Sequence, residues 1–167
     1  MADKGLDSLF HDTLRDMYYA ERHILRKLPA LEKAAASEEL KAAFRKHHGE
    51  TEGQIVRIEK VFTMIDRKPR AKRCEAIDGI LEEGDGVLED YQGTTALDAG
   101  LISSAQAVEH YEITRYGTLR RWAKVLGLSE GYDLLSESLE EESRTDEDLT
   151  KLADAEANAR AATVTKD

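Results

Sequence analysis

A carboxylate interrupts the apolar face of a long predicted helix in the second half of the chain. Apolar residues recur there at spacings of three and four, which is the period of one face of an α-helix. The face contains Leu101, Ala105, Val108, Glu112, Tyr116 and Leu119. Glu112 therefore lies where an apolar side chain would be expected. Because burying a lone carboxylate costs several kcal/mol, we expect Glu112 to be paired, protonated or bound to a cation.

Length and composition indicate a single helical domain. The chain has 167 residues, of which 41% are apolar and 6% aromatic, and it contains only two prolines. Ala, Leu, Glu, Lys and Arg are abundant, and these residues favour helices. We therefore predict one domain over residues 1–167, with a frayed tail from about residue 161 to residue 167.

Several classes of protein are not expected from this composition. No run of about 18 apolar residues is available to span a membrane and no signal peptide is visible, so we expect a cytoplasmic protein without a membrane partner. The formal net charge of −10 argues against binding to nucleic acid. Cys74 is the single cysteine, which excludes an internal disulfide and a thiolate metal cluster. No motif supports phosphate binding, thiol catalysis or nucleophilic Ser/His chemistry.

Hydrophobic periodicity predicts a first helical hairpin in the N-terminal half. A helix from about residue 6 to residue 36 is expected to be kinked or divided at Pro29, because the apolar period resumes after it. Ser37 is predicted to be an N-cap, with two glutamates in the turn that follows. The second helix then continues to about residue 66.

A second hairpin is predicted in the C-terminal half, after a connection long enough to run the length of a bundle. That connection contains a weaker, glycine-containing crossing helix over about residues 74–91. The third main helix begins after Gly93 and runs to residue 125 or 126, where Gly127 ends it. Ser129 is predicted to cap the fourth main helix. The predicted inner face of that helix contains Leu135, Leu139, Glu142, Asp146, Leu149 and Ala153.

Four glutamates fall at matching heights in the two hairpins. Glu50 follows Glu21 by 29 positions and Glu142 follows Glu112 by 30, with the turn near the middle of each interval. Each pair is therefore expected at one height in an antiparallel hairpin. Two such hairpins with inward carboxylates are typical of bundles that hold two metal ions. The predicted fold class is all-α, a ferritin-like four-helix bundle of two antiparallel hairpins with a long crossover that contains an extra helix.

The sequence also resembles a known family along nearly its whole length. The motifs concerned are Leu9-Phe10, Tyr19-Ala20-Glu21, Ala34 to Ser37, Leu40 to Phe44, His47 with Glu50, Thr51 and Gln54, Cys74 with Gly79, Glu109 to Glu112, Tyr116-Gly117, and Leu139 to Glu142 with Thr145-Asp146. In this order they resemble the YciE/YciF-type ferritin-like stress proteins. The resemblance implies a rubrerythrin-like bundle, a homodimer, and a site for two iron ions or, alternatively, manganese.

The candidate ligands of such a site are glutamates and one histidine, since divalent iron and manganese take oxygen and nitrogen donors. Glu21 and Glu112 are the candidates for the single ligands of the first and third main helices. Their partners on the second and fourth are Glu50 and Glu142, either of which could bridge two ions. His47, one turn from Glu50, is the best nitrogen ligand.

Four other side chains are expected close to these ligands. Glu109 lies one turn from Glu112 and either binds metal directly or supports a ligand from behind. Gln54 and Asp146 are alternative ligands or hydrogen-bonding neighbours. Tyr116, one turn beyond Glu112, either hydrogen-bonds a ligand or packs in the core.

One feature departs from the usual pattern of two-iron bundles. Their signature is Glu-x-x-His on two helices, whereas this chain has the reverse order, His47-x-x-Glu50. The fourth main helix contains no histidine. Asp146 or a water is therefore expected to take that position, unless one metal position is weak.

Two functions of different classes are compatible with this sequence. A redox enzyme would use the metal pair to oxidise ferrous iron with dioxygen or to reduce peroxide, with no catalytic residues separate from the metal ligands. Alternatively, the chain is a dimeric helical stress protein that acts by interaction and holds a structural metal or none. A storage cage of the ferritin type is not expected, because nothing in the sequence indicates a symmetric shell.

Overall fold

The structure, a computed structural model, describes residues 4–163, which form five long helices followed by two short helical turns. The long helices are α1 (Leu6–Ala34), α2 (Glu38–Met64), α3 (Glu75–Tyr91), α4 (Leu97–Val125) and α5 (Ser129–Leu152). A π-helical turn (Ala153–Ala157) and α6 (Asn158–Ala161) complete them. Residues 4–163 contain no strand, which confirms the all-helical prediction. The predicted frayed tail falls partly on residues 164–167, outside the described residues.

Two helical hairpins form the bundle. Three-residue turns join α1 to α2 and α4 to α5, so the helices of each pair run antiparallel and make the most extensive contacts in the molecule. The hairpins pack together through α2 against α5 and α1 against α4. The crossover helix α3 lies mainly on α4 and touches α1 less. This arrangement confirms the predicted four-helix bundle with an extra helix in the crossover.

The helix ends follow the sequence in most places. Ser37 Oγ accepts a 3.1 Å hydrogen bond from Leu40 N, as expected of an N-cap. Gly127 ends α4 with a φ of 74°, a left-handed conformation that favours glycine. Of the two outcomes expected at Pro29, division of the helix was wrong, because α1 runs through it to Ala34. The expectation that Ser129 caps α5 was also wrong, because Leu128 precedes the helix without a side-chain cap and Ser129 is its first residue.

The apolar core consists of two clusters at opposite ends of the bundle. One lies near the turn between α1 and α2, which contains Ala35, and it includes Phe44 and Leu101. The other is built around Phe62 and Leu119. Between the two clusters, at mid-height in the bundle, lies a layer of buried polar side chains. Its members are Glu21, His47, Thr51, Gln54, Glu109, Glu112 and Glu142.

A buried aspartate fixes the first hairpin to the second. Asp98 on α4 accepts hydrogen bonds from the backbone N–H groups of Ala36 (2.7 Å) and Ser37 (2.9 Å). These donors would otherwise lack partners at the start of α2. Within residues 4–163, none of the helices has the length and apolar content needed to cross a bilayer.

Candidate metal centre

Three helices bring four potential metal ligands together in the buried layer. His47 comes from α2, Glu109 and Glu112 from α4, and Glu142 from α5. One ligand atom from each residue lies within 4.8 Å of the ligand atoms of the other three. All four side chains are buried, and Glu112 and Glu142 have no exposed surface. A single cation could contact all four at once.

The helical period explains why these side chains meet. Residues three and four apart share a helix face, so Glu109 and Glu112 both point inward from α4. On α2 the buried face contains Phe44, His47, Thr51, Gln54 and Ile58. On α5 it contains Leu135, Ser138, Glu142, Thr145 and Leu149. The polar residues replace apolar ones on otherwise regular core faces.

Glu21 joins this group from α1. It has no exposed surface, and one of its carboxylate oxygens accepts a hydrogen bond from the hydroxyl of Tyr116 on α4. After burial, the negative charge of Glu142 is the next cause that raises the pKa of both Glu21 and Glu112, and the charge of Glu21 also raises the pKa of Glu112. Glu21 is therefore adjacent to the four-residue cluster and anchored to the second hairpin by Tyr116.

Many of the buried polar atoms in this layer lack a hydrogen-bond partner among the described residues. They are Glu21 Oε2, His47 Nδ1 and Nε2, Gln54 Oε1, Glu109 Oε2, Glu112 Oε1 and Oε2, and Glu142 Oε2. His47 Nε2 lies 3.2 Å from Glu109 Oε1, but the two atoms do not meet hydrogen-bond geometry. Leaving one such group unpaired in a core costs about 1–3 kcal/mol. The donor set therefore fits a bound cation, which would satisfy several of these atoms at once.

The electrostatics of the site oppose ionised carboxylates in the absence of a cation. Burial, followed by the charges of neighbouring glutamates, raises the pKa of Glu21, Glu109 and Glu112 well above the ordinary value. Burial raises the pKa of Glu142 to about 7, with the hydrogen bond from the Gln54 amide acting in the opposite direction. Desolvation penalises the charged form, and like charges in one site penalise it further.

Burial has the opposite consequence for the histidine. It lowers the pKa of His47 to about 4, helped by the positive charge of Lys46. His47 is therefore neutral at pH 7, and a neutral imidazole is the form that binds metals. Burial also raises the pKa of Tyr116, with the Glu21 charge adding to it, so its hydroxyl remains a hydrogen-bond donor.

Gln54 lies inside the layer. Of the two roles expected for it, ligand or hydrogen-bonding neighbour, it has the second in this structure. Its side-chain amide donates to Glu142 Oε1 and, at 3.0 Å, to Glu141 Oε2. A carboxylate held by an amide donor has one oxygen fixed and the other free to bind a cation. For Glu142, the free oxygen is Oε2.

Glu50 lies at the rim of the layer, apart from the cluster. Its side chain is 17% exposed, and Oε1 lies 3.6 Å from Lys46 Nζ. Oε2 accepts a 3.4 Å hydrogen bond from the Thr145 hydroxyl. The rotation of α2 about its axis turns Thr51 inward at this height instead.

Asp146 also lies outside the cluster. Its carboxylate accepts a 3.0 Å hydrogen bond from Gln106 Nε2 and lies 3.1 Å from His110 Nε2. The predicted inner face of α5 is buried at Leu135, Glu142 and Leu149, and Leu139 packs half-buried against the apolar core. It was wrong at Asp146, because Thr145, one position earlier, is the buried residue. Ser138 is a further buried residue that the predicted face did not include.

The sequence analysis missed a cation beside the site. Arg57 on α2 donates to Ser138 Oγ at 3.0 Å, to Glu137 at 2.8 Å and to Glu141, and so connects α2 to α5. Its positive charge lowers the otherwise raised pKa of Glu21. The signal available in the sequence was the i, i+3 spacing of Gln54 and Arg57, which places both on the side of α2 that faces α5.

Comparison with known proteins places the chain in a family. The model of a domain of unknown function, DUF892, matches residues 5–162. Protein YciF of Escherichia coli K12 is 42% identical over 159 residues, which cover 95% of this chain and 96% of that protein.

Solved structures agree with this assignment. The crystal structure of the E. coli stress protein YciF matches with a TM-score of 0.87 at 39% identity, covering 97% of this chain and 100% of that one. YcfI of Rhodopseudomonas palustris, described as a structural protein, matches with a TM-score of 0.85 at 39% identity over 89% of this chain and 96% of that one. A Xanthomonas campestris protein shares the fold, with a TM-score of 0.73 at 19% identity over 93% and 94% of the two chains. The chain therefore belongs to the DUF892 family, together with the stress protein YciF.

Proposed function

We propose that the buried layer binds two divalent metal ions, iron or manganese, and that the bound metal carries out a redox reaction. The observation that supports this proposal is the set of buried carboxylate oxygens and imidazole nitrogens without hydrogen-bond partners among residues 4–163. Oxygen and nitrogen donors of this kind suit divalent iron and manganese. Hydrated calcium or magnesium sites are less well matched, because they use oxygen donors.

The charge of the layer supports two ions better than one. When ionised, Glu21, Glu109, Glu112 and Glu142 carry four negative charges in a region from which water is excluded. Two divalent cations neutralise four carboxylates, whereas one leaves two uncompensated charges in the core. Such charges are costly in a medium of low dielectric constant. His47 adds a neutral donor and does not alter this balance.

The surrounding residues hold the ligands in place. The Tyr116 hydroxyl holds one oxygen of Glu21, and the Gln54 amide holds one oxygen of Glu142. Arg57 holds Glu141 against Gln54 and keeps a positive charge close to the carboxylates. These contacts leave the second oxygen of Glu21 and of Glu142 without a partner, and therefore free to bind a cation.

The chemistry follows from the metal. Bound as a ferrous pair, the metal would supply two electrons and become ferric; with two protons these would reduce one hydrogen peroxide to two waters, or one dioxygen to hydrogen peroxide. The protein excludes water from the site and supplies neutral and anionic donors. We therefore propose ferrous oxidation or peroxide reduction as the activity, with the metal ligands as the reactive centre.

Metal analysis tests the binding step. Protein purified without chelator, or loaded with ferrous iron under anaerobic conditions, is expected to contain about two ions per chain. Glu112→Gln and Glu142→Gln are expected to lose most of this metal. Glu140→Gln is the matched control, because Glu140 is exposed on the same helix as Glu142. A wild-type protein that refuses added iron and manganese would exclude the proposal.

A second candidate is a protein that acts by interaction and uses the metal for stability alone. The description of the Rhodopseudomonas palustris relative as a structural protein favours it. In that case, metal-loaded protein would oxidise ferrous iron and consume peroxide no faster than the Glu112→Gln variant. Metal would still raise the melting temperature.

A further inference from the structure

An apolar chamber lies directly against the candidate metal centre. It has a volume of about 30 Å³, is partly open and is lined by side chains from all five long helices. His47 and Glu109 form its inner wall, and Phe44, Ala105 and Val108 are among its apolar residues. The chamber therefore reaches the ligands from the side of α2 and α4.

A second small cavity continues the chamber outward. It also measures about 30 Å³ and shares Leu31, Leu81, Ala105 and Val108 with the first. Lys27 of α1, which lines both cavities, forms an ion pair at the surface with Asp85 of α3, which lines the second. The two cavities therefore lie side by side between this surface ion pair and His47.

Two of the residues that line the chamber, His47 and Glu109, carry buried polar atoms without hydrogen-bond partners among the described residues. His47 and Glu109 are 4% and 1% exposed, and neither nitrogen of His47 has a hydrogen-bond partner among the described residues. An apolar core would ordinarily be filled with side chains to close-packed density. Here, space remains beside the only imidazole of the cluster, on the side away from the Gln54 and Arg57 network.

The size and the lining of the chamber restrict what it can hold. A volume of 10–15 Å³ of this kind accommodates about one water-sized sphere, so about 30 Å³ accommodates two atoms. Apolar cavities remain dry and bind apolar gases. Ions and larger organic molecules do not fit, and hydrogen peroxide would lose its hydrogen bonds to water without gaining replacements along the apolar part.

We propose that the chamber is a binding site for a small apolar diatomic molecule of the size of dioxygen, and that such a molecule reaches the centre between α1 and α3 past Lys27. The role of this binding site rests on the proposed function, because dioxygen in the chamber would reach the bound metal from the side of His47. The binding site itself depends only on the cavity.

The binding site is tested with xenon on the metal-free protein. Xenon is an apolar probe of suitable size, and its position can be seen in crystals under xenon pressure. We expect xenon in the chamber of the wild type. Ala105→Leu is expected to fill the chamber and remove the xenon, whereas Ala107→Leu, at an exposed position of the same helix, leaves it in place. No xenon in the wild type, or equal occupancy in Ala105→Leu, would overturn the proposal.

A second variant guards against misfolding of Ala105→Leu, since added volume strains a packed core. Leu81→Ala enlarges both cavities from the side of α3 and is expected to increase xenon occupancy. Unchanged occupancy in Leu81→Ala would count against the chamber as the xenon site.

The passage is tested separately on protein loaded with ferrous iron. Ala105→Leu is expected to slow oxidation of the bound iron by dioxygen about tenfold, as for a step limited by access, while the iron content stays unchanged. Ala107→Leu is expected to react at the wild-type rate. An unchanged rate in Ala105→Leu would overturn the passage. If the protein binds no metal but xenon occupies the chamber, the proposed function fails and the binding site stands.

Discussion

The two hairpins have similar sequence spacing but contribute unequally to the candidate centre. The second hairpin supplies Glu109, Glu112 and Glu142, whereas the first supplies His47 and, next to the cluster, Glu21. Glu50 and Glu142 occupy equivalent positions in the sequence, yet only Glu142 is fully buried in the layer. The difference shows that spacing across a turn fixes the height of a residue but not the direction in which it points.

The direction is set by the rotation of each helix about its axis. One residue corresponds to about 100° of rotation, so a shift of one position moves a side chain from the core to the rim. On α2 the buried face runs through His47, Thr51 and Gln54, and Glu50 falls beside it. On α5 it runs through Ser138, Glu142 and Thr145. Thr51 therefore occupies the inward position that a carboxylate holds on α5.

Metal removal is expected to have the largest effect and to act more on the second hairpin. A ligand present at 1,000 times its dissociation constant stabilises the folded state by about 4 kcal/mol. Chelation should therefore lower the free energy of unfolding by about that amount under such conditions. Because α4 and α5 hold three of the carboxylates, amide hydrogen exchange should accelerate more in these helices than in α1 and α2. Equal acceleration in both hairpins would show that they share the metal evenly.

Acidity should stabilise the metal-free protein. A carboxyl group whose pKa is higher in the folded state gives stability that is complete below the unfolded pKa and is lost as the pH rises through the folded value. For Glu142 that window runs from 4.5 to about 7, which corresponds to about 3 kcal/mol. His47 acts in the opposite sense, because its pKa falls from 6.5 to about 4 and its contribution is lost as the pH falls through that range.

The remaining carboxyl groups decide the balance. Glu21, Glu109 and Glu112 also have raised pKa values, so the four glutamates together outweigh the single histidine. Urea unfolding in the presence of chelator should therefore show lower stability at pH 8 than at pH 5. Glu142→Gln should flatten this dependence. A metal-free protein that is most stable at pH 8 would contradict the expected sign.

Neutralising the two equivalent glutamates should affect metal binding differently. Glu142→Gln removes a buried ligand and is expected to weaken metal binding about 100-fold, the upper end of the effects seen around metal sites. Glu50→Gln changes a rim carboxylate that already faces Lys46 and should weaken binding less than about threefold. Competition with a chelator of known affinity measures both constants. Similar losses in the two variants would mean that Glu50 turns inward when metal binds.

The smallest effect is expected where one hairpin supports a ligand of the other. Tyr116→Phe removes the hydroxyl that holds Glu21 and should cost about 1 kcal/mol of metal-bound stability. The same change at Tyr91, which is 47% exposed, serves as the control. Thermal unfolding of the metal-loaded proteins provides the comparison. An effect as large as that of Glu142→Gln would make Glu21 as important as the ligands of the second hairpin.

The sequence was sufficient to predict the helices, their order and the height of the charged layer. These features depend on local periodicity and on loop length, which can be read from one chain. Five side chains could be predicted to lie in this layer because each interrupts or adjoins an apolar face. They are Glu21, His47, Glu109, Glu112 and Glu142. The positions of Glu50 and Asp146 could not be predicted in the same way, because helix rotation is decided by packing against three neighbours. The difference between Ser138 and Leu139 is an example, since the structure buries the smaller, polar residue.

The Arg57 network was outside the reach of the sequence for a related reason. Its partners on α5 are 80 to 84 positions away along the chain. Only the packed bundle shows that an arginine and a glutamine one turn apart both meet α5. A pattern within one helix does not identify the residues that it will face.

The polar layer between the two apolar clusters has a consequence for folding cooperativity. Side-chain packing is continuous within each cluster, but Phe44 and Leu101 lie in one and Phe62 and Leu119 in the other. Between them, apart from Tyr111, which packs against both clusters, the helices meet through groups that repel one another when ionised. Without metal at neutral pH, we expect each end of the bundle to open with limited loss of packing at the other, whereas bound cations would join the two ends into one cooperative unit.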